Sequence, residues 1–446
     1  MAVLLALFLV VTFGPFVPQV SSQPASRFAL TASLAERHSV DIRGYPLGID
    51  RATYQGHLRS DKAPGQPLVA VPVYAVAKVF GAESAMVLRQ QRNLTAWWVT
   101  FWTSFLPFVA LVVLMFLVAS RHAPMFPALA SAAGLGVCSM LLPHSVNLYG
   151  ATLAALTAYG AWALIDAGPL TPGRLVMGGA LAGAGVSMEY ETAIVLVALA
   201  VVVFTRARGR ARWYALGAAA PALLLAWYQT AAFGRPWHTA HEYYATAAIR
   251  ERIVGYEFGW RGFEATFFGS HSLLLTNAIV LVGLAAALVV ARAPLAEHRR
   301  HALLALGIAV PYLLLCAIWK GTPALEEPGP RYLIPMIPFL AVPLAVAWPK
   351  LRQVALVALG LSGAVAIAAA TTNLLTAKNQ QVLPEMFRRV AHGEFHPTVW
   401  SMGLDWFGAV VYVASVAVCG VALVRALRAP EAATAADRLV AADEMR

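Results

Sequence analysis

The chain has 446 residues, 59% of them hydrophobic and 12% charged, with a mean hydropathy of +0.66. Soluble domains carry about 25% charged and about 45–50% apolar residues, so this composition excludes a soluble domain and requires an integral membrane protein. The net charge of +11 fits cytoplasmic anchoring rather than nucleic-acid binding, because many arginines lie in short loops between apolar runs, where the positive-inside rule places them.

Apolar runs of roughly 18–25 residues recur along the chain and suit helices crossing a roughly 30 Å hydrocarbon core, whereas barrel strands of about 10 alternating residues do not fit. The predicted fold class is all-α, a polytopic membrane helical bundle of about twelve spans. Residues 2–19 form the first predicted span, since they lack the basic n-region and exceed the usual h-region of a cleaved signal peptide.

A long polar loop, 20–93, follows. Within it Arg27–His38 reads as an amphipathic helix, with Phe28, Leu30 and Leu34 on one side and Arg27, Glu36 and Arg37 on the other. Gln66–Phe80, interrupted by Pro67 and Pro72, reads as an apolar-faced segment lying along the interface. Trp97, Trp98 and Trp102 form an aromatic belt at the entrance to a span over 94–119.

Spans at 125–143 and 147–166 come next, joined by Pro143-His144-Ser145-Val146-Asn147. The apolar stretch 175–204 contains Glu189-Tyr190-Glu191 at its centre. One helix would bury two carboxylates near the midplane at about 2.5–3.5 kcal/mol each, so the stretch is predicted to break there into a hairpin. Further spans are expected at 214–232, 272–291, 302–319, 333–348, 354–372 and 406–426, with Lys350 and Arg352 in a turn between two of them. Both ends are then cytoplasmic, residues 1–427 form one transmembrane domain, and 428–446 is a disordered tail. The external loops are 20–93, 233–271, 320–332 and 373–405. Cys138, Cys316 and Cys419 sit inside apolar runs without ligand spacing and read as core residues.

Chemistry is expected on the external side, which holds the long polar loops. The first offers Asp41, Asp50 and Asp61 as candidate bases, with Arg27, His57, Arg59 and Lys62. The second offers Arg235, His238, His241, Glu242 and Tyr243-Tyr244, and the third Glu326, Glu327, Arg331 and Tyr332. A carboxylate that deprotonates a hydroxyl beside cations that hold a phosphate makes a workable transfer site. The histidines show neither HxxxH nor HExxH spacing, so no metal site is expected. Glu189 and Glu191 can equally cap the hairpin turn, and Pro330-Arg331 can be a structural helix start.

Three stretches, Arg59-Ser-Asp-Lys-Ala-Pro-Gly65, Trp227-Tyr-Gln-Thr-Ala-Ala-Phe-Gly-Arg-Pro236 and Gly329-Pro-Arg-Tyr-Leu-Ile-Pro-Met-Ile-Pro-Phe339, together with the order of helices and loops, resemble the GT-C-fold glycosyltransferases. Those enzymes use lipid-phosphate sugar donors, as aminoarabinose transferases and protein O-mannosyltransferases do, and the likeness is to a bacterial branch of them. The resemblance implies a multi-pass protein of the bacterial cytoplasmic membrane with its active site on the external face. It would move a sugar from a polyprenyl-phosphate carrier to a glycan, lipid or protein acceptor, with inversion and an aspartate base. It implies Lys62, Arg27 and Arg331 as donor-phosphate ligands, Asp50, Asp41 or Asp61 as the base, and His57, Arg59, Tyr332, His241 and Glu189 as substrate contacts. It leaves a divalent cation open. Two departures stand out: Pro24-Ala25 occupies the place of an acidic pair, and 269–277 lacks an Arg-Gly pair. A transporter of lipid-linked sugars, or a surface-polysaccharide polymerase or ligase, is the competing class. A transporter would line a midplane path with charge, and a polymerase would carry its large loop late in the chain.

Overall fold

In hydrocarbon every backbone N–H and C=O must be paired within its own segment, and in the computed structural model the apolar stretches are helices. The structure describes all residues except 19, 49, 83–92, 245–249, 252–254, 258–259, 320–326, 377–380 and 444–446, and the side chains of 261 and 429–443 also lie outside the description. Glu326 and parts of the loops expected at 233–271, 320–332 and 373–405 therefore lie outside the described residues.

Helix α1 (Ala2–Phe13) ends well short of residue 19, because Pro15 and Pro18 supply no N–H and restrict the residues before them. Next come α2 (Ser22–Arg37), the antiparallel hairpin β1 (Ala52–Tyr54) and β2 (His57–Arg59), and α3 (Gly65–Val79). Helix α2 starts earlier than the amphipathic pattern suggests and is buried from Pro24 through Ser33. Arg27 is thus 2% exposed and does not lie on a solvated face. Phe28 meets Tyr74 of α3 edge to face. On α3, Val76, Val79 and Phe80 just beyond it are exposed.

The long helix α4 (Leu94–Ala119) includes a π-helical turn over Phe101–Phe105. Trp97 donates its indole N–H to the Gly14 carbonyl at 2.8 Å and Trp98 to that of Val73 at 3.2 Å, tying α4 to α1 and α3. Then follow α5 (Met125–Val137), α6 (Leu141–Ser145) and α7 (Ala151–Asp166). The stretch with the two glutamates does break: α8 (Pro172–Met188) ends at an extended Glu189, a 3-10 turn spans Tyr190–Thr192, and α9 (Ala193–Ala207) leads on to α10 (Ala211–Phe233). Helices α8 and α10 touch backbone to backbone. A Cβ on Gly179 would stand 2.0 Å from the Tyr214 carbonyl oxygen, and one on Gly217 1.9 Å from that of Val176, the small-residue contact that drives helix association in lipid.

Helices α11 (Trp260–Phe267), α12 (Leu273–Thr276), α13 (Ala278–Val290) and α14 (Ala296–Ile318) precede a 3-10 segment, Arg331–Leu340, and α15 (Ala341–Thr371). The 3-10 geometry replaces the α-helix predicted from 333 because Pro335 and Pro338 remove two backbone donors. No loop parts the two spans expected on either side of Lys350, since α15 is helical throughout. It nevertheless folds back. Trp348 meets Phe126 edge to face at the start of α5, Leu359 lies against Gly134, and Gly363 meets Cys138 past its end. Phe339, before the reversal, packs on Tyr159 halfway down α7. The chain therefore runs down and up the bundle about Pro349.

Helices α16 (Val382–Ala391) and α17 (Val399–Asp443) complete the chain. Tyr412 of α17 donates to the Thr12 carbonyl of α1. Asp405, at φ 46°, breaks the helical backbone near the start of α17. Among the described residues five helical stretches are long and apolar enough to cross a membrane, Leu94–Ala119, Tyr190–Phe233, Ala296–Ile318, Arg331–Thr371 and Val399–Arg428, and four shorter helices are apolar as well. Arg121, Arg174, Arg206, Arg208, Arg210, Arg212, Arg292, Arg299 and Arg300 all lie by the helix ends away from the first loop.

Candidate active site

Lys62 follows β2 on the loop into α3. Its side chain is 10% exposed and its Nζ lies 2.8 Å from Asp50 Oδ1 and 2.9 Å from Asp61 Oδ2. Two serines of α2 receive this group: Ser22 Oγ accepts from the Asp50 N–H at 3.0 Å, and Ser26 Oγ donates to Asp61 Oδ1 at 3.1 Å. Burial alone would lower the Lys62 pKa, but Asp50 and Asp61 hold it above the usual range. The carboxylates diverge. Burial pushes Asp61 up, while for Asp50 burial is outweighed by the Lys62 charge and hydrogen bond, which bring it down. Asp61 has no exposed side-chain surface and Asp50 keeps 18%, so Asp50 is the carboxylate a substrate can reach.

Arg27 donates through Nη2 to Glu189 Oε1 at 2.6 Å, while its buried Nε and Nη1 have no hydrogen-bond acceptor among the described residues. Gly150, at the start of α7, leaves room for this pair. A Cβ there would lie 2.7 Å from the Met188 carbonyl oxygen, 2.9 Å from Glu189 Oε1 and 3.0 Å from Arg27 Nη1. The break after α8 thus serves to present Glu189.

Arg331 opens the 3-10 segment and pairs with Glu327 at 2.8 Å, with its guanidinium 5.2 Å from the Tyr332 ring. Glu327 is gripped further by His144 Nε2 at 3.1 Å and by the Tyr149 hydroxyl at 3.3 Å. Burial would raise the Glu327 pKa, but Arg331 and His144 hold it at about 2. Asn277, buried in the 269–277 segment, accepts from the Met140 N–H and donates to the Pro328 carbonyl, fixing the turn before Arg331.

These groups form one electrostatic cluster. Arg331 acts on Asp50, Lys62 and His241. His241, ringed by Tyr190, Tyr244 and Trp319, is lowered to about 4 by burial and by the Lys62 and Arg331 charges, so its ring is neutral at pH 7. Ala52 bridges Tyr244 and draws the second polar loop against the first.

Asp41 and His57 stand elsewhere. Asp41 binds His57 Nδ1 at 2.8 Å and Arg43 at 2.7 Å, and despite burial these hydrogen bonds hold it at about 2. Neither bonds to the Lys62 group. Arg59 donates to the Ala232 carbonyl at the end of α10. The structure therefore assembles Arg27, Asp50, Asp61, Lys62, Glu189, His241, Arg331 and Tyr332, and leaves Asp41, His57 and Arg59 at the edge. It adds Ser22, Ser26, His144 and Tyr149, which the sequence reading gives no role beyond a turn, and for Tyr149 and the serines the sequence carried no signal.

One metal-like cluster appears among the described residues, at the opposite end: ligand atoms of His122, Asp166 and His301 lie within 4.8 Å of one another. Trp162 donates its indole N–H to His301 Nδ1; His301 Nε2 lies 3.0 Å from an Asp166 oxygen without hydrogen-bond geometry, and Arg300 pairs with the other Asp166 oxygen.

By sequence the chain matches no family model and no curated protein. By structure it is similar to ArnT from Cupriavidus metallidurans bound to undecaprenyl phosphate, with a TM-score of 0.51 at 16% identity over 95% of this chain and 71% of that one. It is also similar to the oligosaccharyltransferase of Archaeoglobus fulgidus in its apo form, with a TM-score of 0.50 at 12% identity over 91% of this chain and 57% of that one. At such identities the likeness is one of fold, and the chain has the GT-C membrane fold of these two proteins.

Proposed function

We propose that the chain is a membrane glycosyltransferase that takes a sugar from a polyprenyl-phosphate carrier and delivers it to an acceptor outside the cytoplasm. The observation that carries this reading is the meeting of Lys62, Arg27 and Arg331, from three distant parts of the sequence, at one end of a fold shared with a protein that holds undecaprenyl phosphate. Each cation has a carboxylate partner that a phosphate can replace. The arginine-rich opposite end supports a cytoplasmic placement for that side, and with it the reading of an external site.

In this reading the donor phosphate draws Lys62 from Asp50 and takes hydrogen bonds from the unpartnered Arg27 nitrogens and from Arg331. Asp50, losing its counter-ion, gains proton affinity and accepts the proton of the acceptor hydroxyl. The hydroxyl oxygen attacks the anomeric carbon from the face opposite the phosphate, and the C1–O bond to phosphate breaks. Its electron pair stays on polyprenyl phosphate, which leaves with one more negative charge. The preorganised cations meet that charge as it develops, and the product is inverted. Asp61 holds Lys62 in place, and Tyr332, His241 and Glu189 border the sugar.

The acidic pair lacking at Pro24-Ala25 has a spatial substitute, because Asp50 and Asp61 reach α2 through Ser22 and Ser26 on either side of it. Incubating the purified protein with labelled polyprenyl-phosphate sugars tests the proposal: donor turnover supports it, and binding or movement of the intact donor without turnover favours a transporter.

A further inference from the structure

A second site can be read at the end of the bundle away from Lys62. Around the α7–α8 loop and the α9–α10 junction lies a cavity of about 670 Å³ lined by Asp166, Arg206, Arg208, Arg210 and Arg300, with Gly168–Leu170 closing one side. Four guanidinium groups face one carboxylate there, leaving three uncompensated charges. Arg300 binds Asp166 through Nη2 at 2.5 Å, and its Nε has no acceptor among the described residues. Arg210 donates to the Leu170 carbonyl. Among the described residues Arg206 and Arg208 have no ion pair.

Arg300 also lines the end of an apolar groove of about 850 Å³ between α9 and α14, which extends from Ala193 and Pro311 to Val202, Ala296 and Arg299. Val197, Val201 and Leu303 on its walls are 61%, 56% and 54% exposed. From Arg299 to Pro311 helix α14 rises about 18 Å, and half of a roughly 30 Å hydrocarbon core is about 15 Å. The groove is therefore as long as one leaflet's acyl layer.

We propose that groove and cavity together bind one anionic phospholipid of the arginine-side leaflet, with its phosphate among Arg206, Arg208, Arg210 and Arg300 and an acyl chain between α9 and α14. Arginines at helix ends and apolar faces toward lipid are each ordinary in a membrane protein. Their junction at Arg300 is what selects an amphiphile with a negative head. Guanidinium forks match phosphate oxygens, whereas the ammonium of a zwitterionic headgroup would add a cation to a lining already in excess.

The test is native mass spectrometry of the full chain released from mixed micelles holding equal phosphatidylglycerol and phosphatidylcholine. Phosphatidylglycerol is expected to be retained in excess. The triple variant R206Q/R208Q/R210Q should weaken that retention by roughly 100-fold, the factor for removing three cations beside an anionic surface, and should leave phosphatidylcholine unaffected. Gly307→Leu should weaken it too: an added Cβ at Gly307 meets nothing within 4 Å, so the side chain fills the groove while every arginine remains. The lysine triple R206K/R208K/R210K should retain the lipid and so separates lost charge from lost folding. Equal retention of the two lipids, or unchanged retention in both the glutamine triple and Gly307→Leu, overturns the proposal. Displacement of the lipid by soluble glycerol phosphate overturns it as well, since that describes a phosphate pocket and no lipid site.

Discussion

Replacing Lys62 by Met isolates the centre of the candidate site. The ammonium stands between Asp50 and Asp61 at 2.8 and 2.9 Å, and its loss leaves two adjacent carboxylates out of water without a counter-ion. Removing one partner of a buried pair costs about 3–5 kcal/mol, a large part of the roughly 5–15 kcal/mol that stabilises a typical protein. The loss should depend on pH. Without Lys62 both carboxyls titrate above their unfolded value of about 3.9, so the folded variant binds protons that the unfolded chain has released. The variant should regain stability as pH falls from about 7 toward about 4. The double variant D61N/K62M should recover most of the loss at neutral pH, because Asp61 is the fully buried acid and Asp50 retains access to water. Neither variant should transfer sugar. Thermal unfolding in detergent at the two pH values measures the effect. A destabilisation equal at both, or a double variant no more stable than Lys62→Met alone, would refute the counter-ion role.

Further outcomes follow from the same geometry. Asp50→Asn should abolish transfer and, because Asp61 still pairs with Lys62, lower the melting temperature less than Lys62→Met does, while Asp41→Asn stays active; the reverse result in a turnover assay would move the base to Asp41. Glu327, held at about 2 against an ordinary 4.5, contributes stability that is present above about 4.5 and lost as pH falls toward about 2, at most roughly 3 kcal/mol. In melting experiments Glu327→Gln should lose about 3 kcal/mol less than the parent protein across that window, the remaining loss coming from carboxylates such as Asp41, also held at about 2. Gly150→Ala should crowd the Arg27–Glu189 pair at a cost of about 1–3 kcal/mol of stability, read as a lowered melting temperature together with a fall in kcat/KM for the donor.

The membrane class was legible because it rests on composition, and so was the gathering of first-loop charges into one cluster, since polar residues in a hydrocarbon-compatible chain must meet somewhere. The break at Glu189 was legible for the same reason, as burial of two carboxylates outweighs the continuity of a helix. The partner of Glu189 was not. Arg27 lies 162 positions away, and its place on an amphipathic pattern pointed it toward water. Local chemistry misled at Arg331–Leu340, where Pro335 and Pro338 turn a predicted α-helix into a 3-10 segment. The hairpin at Ala52–Arg59 gave little signal, because its turn is Gln55-Gly56, both at positive φ, where Asn-Gly is the recognisable pair. Asp41 and Asp50 looked alike in sequence, and what separates them is which cation each meets: Arg43 at the surface or Lys62 inside.

The central claim is that Lys62, Arg27 and Arg331 hold the carrier's phosphate. A density map of the protein with bound polyprenyl phosphate tests it most directly. The account predicts the phosphate within hydrogen-bond distance of Lys62 and Arg331, with the Lys62–Asp50 contact lengthened. A phosphate seated out of reach of Lys62, with that contact intact, would contradict it.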